Sequence, residues 1–288
     1  MVIDLVEAAV TSVVVAAHNE AAVLDRSLPM LIGPGVQVIV AANGCTDNTV
    51  EVARRHPVEV LDLATPSKVV ALNAGDRVAR GFPRMYVDAD VVLSPGAISH
   101  LTRALNRPGA LAAVPLRRLE LSGRPLLVRA YFAIHSRLPV FYNGLFGRGV
   151  VALSEAGRAR FGEFPTVVAD DLFLDSLFGP NERTIVPEAS VLVETPRKTR
   201  DLVRRLVRVR SGNSALRQAA AAAGAPAAVR ASDKWSWLRD VVLPAPWLAP
   251  AAVCYVGITV TAGVLAKRAR RRGTTTWQRD ESSRVTTS

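Results

Sequence analysis

The sequence is poor in cysteine: its 288 residues include two, Cys45 and Cys254. Two cysteines so far apart exclude a disulfide framework and favour a reducing compartment. Charged residues make up only 21% of the chain, whereas 49% are hydrophobic and the mean hydropathy is +0.21. We therefore expect little disorder, a core large enough for one large or two small domains, and some contact with a membrane.

Acidic residues are also in short supply, with 25 against 36 basic ones and a net charge of +11. This balance favours polyanionic partners, such as phosphates, anionic lipid or nucleic acid. The first seven residues carry acids where a signal peptide needs a basic segment, so we do not expect an export signal.

The first half of the chain alternates apolar runs with helical patterns. Strands are predicted over residues 11–17, 36–42, 58–63 and 85–87, and the helices between them over 21–31, 49–55 and 67–80. A further helix over 96–105 and a strand over 111–116 follow. Continuous apolar strands that alternate with helices predict an α/β fold with a Rossmann-like, mostly parallel sheet flanked by helices.

Polar clusters follow three of these strands, at residues 18–20, 43–47 and 88–90. The carboxyl ends of parallel strands share one edge of the sheet, which is where ligands bind in open α/β sheets. Paired carboxylates such as Asp88 and Asp90 can hold a hard divalent cation that also bridges phosphate oxygens. The alternative, in which Asp88 caps a turn and Asp90 is solvated, does not explain why three clusters converge.

Two other nucleotide-binding classes need glycines that this chain lacks. A dinucleotide-binding domain requires Gly-x-Gly-x-x-Gly after the first strand, but no glycine occurs before Gly33. A nucleotidyltransferase needs a basic, glycine-rich loop at the same place. Both classes are disfavoured.

Four segments resemble the family-2 glycosyltransferases, whose catalytic domain has the glycosyltransferase-A fold. Residues 12–20 are similar to the family's strand ending in Asn-Glu, and residues 42–49 to its Asp-Gly-Ser-x-Asp-x-Thr loop. Residues 67–75 resemble its Lys-x-x-Ala-Leu-Asn-x-Gly helix, and Asp88-Ala-Asp90 falls where its metal-binding Asp-x-Asp belongs.

The resemblance implies a nucleotide-diphosphate sugar donor and a divalent metal, Mn²⁺ or Mg²⁺, held by Asp90 and Asp88. The donor-binding residues it implies are Asn19, Glu20, Asn43, Asp47, Lys68, Asp88, Arg205 and Arg208. The family's loop begins with an aspartate where this chain has Asn43. An amide both donates and accepts hydrogen bonds, so UDP, GDP and dTDP sugars all stay open. The alternative for Lys68 is a solvated helix residue.

A second carboxylate centre lies at residues 170–175, where the family carries its catalytic base. By position, Asp171 is predicted to be the base and Asp170 to orient it, because inverting transfer needs a carboxylate to take the acceptor hydroxyl's proton. Repulsion between adjacent aspartates raises one pKa towards a useful value. Gly147 and Gly149 are expected beside the acceptor. The alternative is an ordinary helix N-terminus, where acids are favoured.

Residues 197–210 carry seven basic residues against one acid, with Leu202, Val203, Leu206 and Val209 at helical spacing. The resemblance places a donor-closing segment here, for which Arg205 and Arg208 are candidates. A basic amphipathic helix also suits a membrane surface. Nucleic acid is not expected as a partner, because no interleaved aromatic residues support base stacking.

Residues 241–266 contain no charge and are long enough to span a bilayer. Tryptophans precede this stretch and a basic cluster follows it, as in membrane anchors. A nucleotide-sugar site must face the cytoplasm, so a re-entrant, kinked or interfacial segment on the cytoplasmic face fits better than a simple span. A buried core helix is the soluble alternative.

Together these features predict a metal-dependent, inverting glycosyltransferase that moves a sugar to a lipid or lipid-linked glycan. The alternatives are a catalytically inactive nucleotide-sugar-binding module and a nucleotidyltransferase. The predicted layout is a catalytic domain over 1–215, a linker, a membrane-associated segment and a polar tail. The catalytic domain divides into a nucleotide-sugar half over 8–105 and an acceptor half over 106–215. The later parts cover 216–240, 241–272 and 273–288.

Overall fold

The computed structural model describes residues 11–166, 170–222 and 233–271. The predicted polar tail, the amino-terminal segment and much of the predicted linker lie outside these residues. The chain forms two compact units, one of Met1–Arg118 with Leu145–Val193 and one of Leu119–Gly144 with Glu194–Ser288.

A mixed β-sheet forms the centre of the first unit. Its strands are β1 (Thr11–Ala17), β2 (Val36–Asn43), β3 (Glu59–Leu63), β4 (Arg84–Asp88), β5 (Ala112–Glu120), β6 (Val150–Leu153) and β7 (Arg183–Glu194). Their order is β3–β2–β1–β4–β6–β5–β7. The first four are parallel, as predicted, and β6 is antiparallel to both β4 and β5.

Continuous apolar runs form the central strands because both faces of the sheet are covered. Successive side chains point to opposite faces, so Val13, Val15 and Val87 enter one core while Val14 and Tyr86 enter the other. The first half supplies the helices α1 (Ala21–Ser27), α2 (Thr49–Arg54), α3 (Lys68–Val78) and α4 (Ala97–Leu105). These elements confirm the predicted α/β class.

Helix α3 lies unusually close to β1 because Gly75 has no side chain. A Cβ added there would lie 2.4 Å from Cγ1 of Val14. Ser67 caps the helix, its Oγ accepting a hydrogen bond from the Val70 N–H at 3.4 Å. The close approach and the cap together fix the position of Lys68, the first residue of the helix.

The second unit is helical. It contains α5 (Leu126–His135), α6 (Pro139–Tyr142), α9 (Thr199–Ala222) and α10 (Ala249–Arg271), with a turn of π-helix at Trp237–Val242. The apolar stretch over 125–140 forms two helices and not one, because Pro139 cannot continue the first. Helix α9 begins at Thr199, within the amphipathic stretch predicted over 197–210, and continues to Ala222.

The later part of the first unit adds α7 (Glu155–Arg158) and α8 (Asp170–Leu177). Strand β6 follows Gly147 and Gly149. It was not predicted as a strand, because it has only four residues. It inserts between β4 and β5 and so brings residues 147–149 against the end of β4.

Candidate active site

The carboxyl ends of β1, β2 and β4 lie at one edge of the sheet. In the register, Ala16 pairs with Asp88 and Ala17 pairs with Ala42. The three polar clusters predicted to converge therefore follow adjacent strands at the same level. This edge is the candidate active site.

Asn19 ties the end of β1 to the loop that follows β2. Its Oδ1 accepts a hydrogen bond from the Thr46 N–H at 2.7 Å, and its Nδ2 donates to Thr46 Oγ1 at 3.1 Å. The backbone of Asn19 has a φ of 53°, a left-handed conformation that asparagine tolerates better than most residues. Asn19 thus shapes the loop.

Asp47 and Glu20 meet through Thr49 at the start of α2. Asp47 accepts hydrogen bonds from the Thr49 N–H at 3.0 Å and from the Ala21 N–H at 3.3 Å, while the Glu20 N–H donates to Thr49 Oγ1 at 2.7 Å. Although desolvation opposes it, hydrogen bonding from Thr49 lowers the pKa of Asp47. Asp47 is therefore ionised and held by the backbone.

Asn43 is buried at the end of β2, between the strands. Its Nδ2 donates to the Ala17 carbonyl at 2.8 Å, and more weakly to the Ala41 carbonyl at 3.4 Å. In this arrangement the amide joins β1 to β2.

Lys68 bridges the two predicted carboxylate centres. Its Nζ lies 2.6 Å from Asp88 Oδ1 and 3.0 Å from Asp170 Oδ2. Desolvation alone favours the neutral amine, but the charges of Asp88 and Asp170 outweigh it and raise the pKa of Lys68. The side chain is a fixed ammonium between residues that are distant in sequence.

Asp88 lies at the centre of this arrangement. Desolvation in the cleft, together with the charges of Asp170 and Asp90, raises the pKa of Asp88 to about 6, even though Lys68 favours the ionised form. The carboxylates of Asp88, Asp170 and Asp171 thus stand near one ammonium group, and that of Asp90 acts on Asp88. The cleft carries an excess of negative charge.

The two glycines before β6 connect the carboxylate centres through the backbone. The Gly147 N–H donates to Asp171 Oδ2 at 3.0 Å, and the Gly149 carbonyl accepts from the Asp88 N–H at 2.8 Å. A Cβ on Gly149 would lie 2.5 Å from Cγ2 of Val91 and 3.0 Å from Asp88 Oδ2. A larger residue at this position would have to move the Val91 side chain and would press on the Asp88 carboxylate.

Asp171 is held by two backbone N–H groups, those of Gly147 and, at 2.8 Å, of Leu172. Desolvation first, and then repulsion from Asp170, raise the pKa of Asp171. Asp170 faces Lys68 instead. The two adjacent aspartates therefore have different partners: one an ammonium group, the other main-chain amides.

A buried ion pair, not predicted from the sequence, positions this helix. Asp175 Oδ1 lies 2.6 Å from Arg183 Nη1 and also accepts the Leu145 N–H at 2.8 Å. Asp175 is one helical turn beyond Asp171. The ion pair joins α8 to β7, and the hydrogen bond from Leu145 joins α8 to the loop that carries Gly147. In the sequence, the only indication of this ion pair is that Asp175 lies four residues after Asp171.

A cavity of about 110 Å³ lies between the two centres. Its polar lining is supplied by Lys68, Asp88, Asp170 and Asp171, and its floor includes Leu72, Tyr86 and Leu174. Asp90 is exposed just beyond Asp88. Of the remaining predicted donor residues, Arg205 and Arg208 lie on α9 in the second unit, where Arg205 donates to the Glu194 carbonyl at 3.4 Å. Their predicted role in donor binding stays a prediction.

Solved structures with the same fold are glycosyltransferases. The mannosyltransferase PcManGT from Pyrobaculum calidifontis, in complex with GDP-Man and Mn²⁺, aligns with a TM-score of 0.56 at 21% identity, over 92% of this chain and 83% of that one. Glucosyl-3-phosphoglycerate synthase from Mycobacterium tuberculosis, with Mn²⁺, UDP-glucose and phosphoglyceric acid, aligns at 0.52 and 18% identity, over 76% and 81%.

TarS 1–349 from S. aureus, in complex with UDP, aligns at a TM-score of 0.50 and 12% identity, over 92% of each chain. No curated protein matches the sequence. The sheet and its flanking helices thus have the glycosyltransferase-A fold. The sequence profile of glycosyl transferase family 2 matches residues 12–154, just under half of the chain.

Proposed function

We propose that this protein is a metal-dependent, inverting glycosyltransferase that moves a sugar from a nucleotide-diphosphate donor to a hydroxyl group of a lipid or lipid-linked glycan. One observation carries the proposal. Asp88 and the Asp170–Asp171 pair, more than eighty positions apart in the sequence, line one cavity and share the ammonium group of Lys68. Donor and acceptor chemistry can therefore meet in one cleft.

The residues present fit a divalent metal. Asp88 and Asp90 offer hard oxygen ligands, and the excess of carboxylates over Lys68 gives the cleft a charge that a divalent cation would balance. Among the residues that the structure describes, no group of three or more acids, histidines or cysteines could hold a metal by itself. A site with one or two protein carboxylates suits Mn²⁺ or Mg²⁺, whose other ligands come from substrate phosphates and water. When bound, the metal would neutralise charge on the diphosphate leaving group.

Asp171 is the proposed base. Its two backbone hydrogen bonds hold the carboxylate in place, and its raised pKa makes it a better proton acceptor than an ordinary aspartate. As the acceptor oxygen attacks the anomeric carbon, its proton passes to Asp171 and the bond to the diphosphate breaks.

Lys68 and Asp170 have supporting roles. In the absence of donor, Lys68 forms ion pairs with both Asp88 and Asp170. When a diphosphate enters, the ammonium can stabilise its developing negative charge. Asp170 holds Lys68 on the side of the cleft that faces the base.

A membrane-associated location on the cytoplasmic face is part of the proposal. One helical stretch, Pro246–Ala269, is long and apolar enough to cross a membrane by length and composition, with a mean hydropathy of 1.9. The net charge of +11 favours a surface of anionic lipid. A lipid-borne acceptor would be met at such a surface.

The test begins with thermal-shift measurements on the full chain with nucleotide sugars, in the presence and absence of Mn²⁺. We expect stabilisation that depends on both, followed by donor hydrolysis or transfer in a radiolabel assay. Asp171→Asn should lose transfer by at least about a hundredfold while keeping the donor-dependent shift.

Asp25→Asn is the matched control. Asp25 forms an exposed ion pair with Arg55 and a hydrogen bond with His56 on the surface, so its loss should change neither readout. Near-normal turnover by Asp171→Asn would reject the assigned base. Binding of donor without any turnover by the unaltered protein would instead indicate an inactive binding module.

A further inference from the structure

Helix α10 buries one of its faces within the second unit. Ala252 joins an apolar cluster with Ile134 and Val242, and Ile258 joins another with Phe132 and Leu202. The ring of Tyr255 stacks on that of Tyr131, with centroids 5.2 Å apart. These positions, followed by Ala262 and Ala266, recur at helical spacing. One face of the helix is thus packed within the helical unit from Ala252 to Ala266.

The opposite face of α10 is apolar and exposed. Val253, Val260 and Val264 are 74%, 57% and 46% exposed and follow one another at intervals of seven and four residues, which places them on one stripe. Trp247, 77% exposed, precedes the stripe. Lys267 and Arg268 are exposed at its other end. We refer to residues 253, 260 and 264 as the α10 stripe.

A charged helix packs beside the middle of α10. The guanidinium of Arg210, on α9, donates to the carbonyl of Thr259 at 2.8 Å. Thr259 is the eleventh of the 23 residues of α10, so it lies close to the centre of the helix. Arg208, two residues earlier on α9, is exposed.

This arrangement is unfavourable for a transmembrane span. If α10 crossed the bilayer, Arg210 and its neighbour Arg208 would lie near the midplane, where each arginine costs about 3 kcal/mol even on insertion-based scales. If α10 lies parallel to the surface, only the stripe enters the hydrocarbon and α9 stays on the aqueous side. The geometry favours the second arrangement.

We propose that α10 is an in-plane membrane-docking helix, whose stripe inserts into the surface of an anionic phospholipid bilayer. We infer an anionic bilayer because of charge: basic residues follow the α10 stripe, and the whole chain has a net charge of +11. Lys267 and Arg268 can reach anionic headgroups while Trp247 lies at the interface. This inference deepens the proposed membrane association and rests on none of the proposed chemistry.

The test measures depth at several points along the stripe. In the full chain with Cys45 and Cys254 replaced by serine, single cysteines at 253, 260 and 264 are labelled with an environment-sensitive fluorophore. Vesicles of phosphatidylcholine with and without phosphatidylglycerol carry quenchers at shallow or deep acyl positions. We expect all three labels to respond to the anionic vesicles and to report the same shallow depth.

Two results would overturn the proposal. A graded depth from 253 to 264, which are about 16 Å apart along a helix axis, would mean that α10 spans the membrane. No response to either vesicle would mean that the stripe is covered by something other than lipid. A label at Val78, an exposed valine at the end of α3, is the control and should not respond.

Val260→Asp should weaken binding to anionic vesicles about tenfold, because it removes one inserted apolar side chain and adds a negative charge that the anionic lipid repels. Val78→Asp should bind like the unaltered protein, and so should Asp171→Asn. Failure of the proposed chemistry is therefore separable from failure of membrane docking. Equal binding by Val260→Asp and Val78→Asp would contradict the proposal.

Discussion

Gly149 permits the sharpest test of how the cleft is built. Alanine at this position would have to adopt a left-handed backbone with a φ of 66°, which costs roughly 1–2 kcal/mol for a residue with a Cβ. It would also place that Cβ 2.5 Å from Val91 and 3.0 Å from the Asp88 carboxylate. Overpacking of this kind costs about 1–3 kcal/mol more.

Gly35 is the matched control because it separates the two effects. Its φ is 69°, nearly the same, but a Cβ there would meet no atom of the described residues within 4 Å. Gly35→Ala should therefore show only the backbone cost, whereas Gly149→Ala should show about 2–5 kcal/mol in all. The free energy of unfolding, from urea titration of the full chain, gives both values.

The functional consequence concerns metal affinity. Because the Gly149 Cβ would force Val91 aside and press on the Asp88 carboxylate, we expect Mn²⁺ to bind Gly149→Ala roughly ten- to a hundredfold more weakly, and Gly35→Ala normally. Calorimetric titration with Mn²⁺ and a nucleoside diphosphate measures this. Unchanged Mn²⁺ affinity in a folded Gly149→Ala would show that Asp88 is not the ligand, or that the close approach does not position it.

Three further predictions concern charge. Because a proton competes with the metal for Asp88, whose pKa is raised to about 6, apparent Mn²⁺ affinity should be constant above that pH and fall below it; a flat titration through pH 6 would contradict this. Asp175→Asn leaves the buried Arg183 without its ion-pair partner and should lower the free energy of unfolding by about 3–5 kcal/mol, whereas pairing it with Arg183→Met should restore most of the loss. Asp76 lies between two arginines, 2.9 Å from Arg84 and 2.5 Å from Arg158. Desolvation by itself would raise the pKa of Asp76, but hydrogen bonds from Arg158 and Tyr86 outweigh it and lower that pKa. Because the pKa of Asp76 is lower in the folded protein than in the unfolded chain, where it is near 4, the ionised carboxylate stabilises the fold above that pH. The loss of stability in Asp76→Asn should therefore be complete at neutral pH and become smaller in acid. Urea titrations at several pH values measure this loss.

Local patterns in the sequence were sufficient to predict which strand ends meet at the candidate site. Valine-rich runs at 11–17 and 36–42 predicted strands buried on both faces, and those strands formed. Since parallel strands end at one edge, the polar residues after them had to converge, whichever helices lay between. Asp88 and the loop at 43–47 could therefore be assigned to one site from the amino-acid sequence by itself.

Other features depended on contacts between distant segments. The four-residue strand β6 carries too little pattern to be predicted, yet it sets Gly149 against Asp88 and Gly147 against Asp171. Lys68 contacts Asp88, which lies 20 positions later in the sequence, and Asp170, which lies 102 positions later. Residues 119–144 and 194–288 form one compact unit, and no local pattern in the sequence indicates that they belong together.

Residues 241–266 illustrate the same division. Their composition by itself predicted an affinity for lipid, because 26 consecutive uncharged residues suit a membrane whatever their neighbours are. Composition could not distinguish a span from a helix lying on the surface. That choice depends on which face of α10 is already buried and on the charge of the helix beside it, and only the tertiary structure places Arg210 against Thr259.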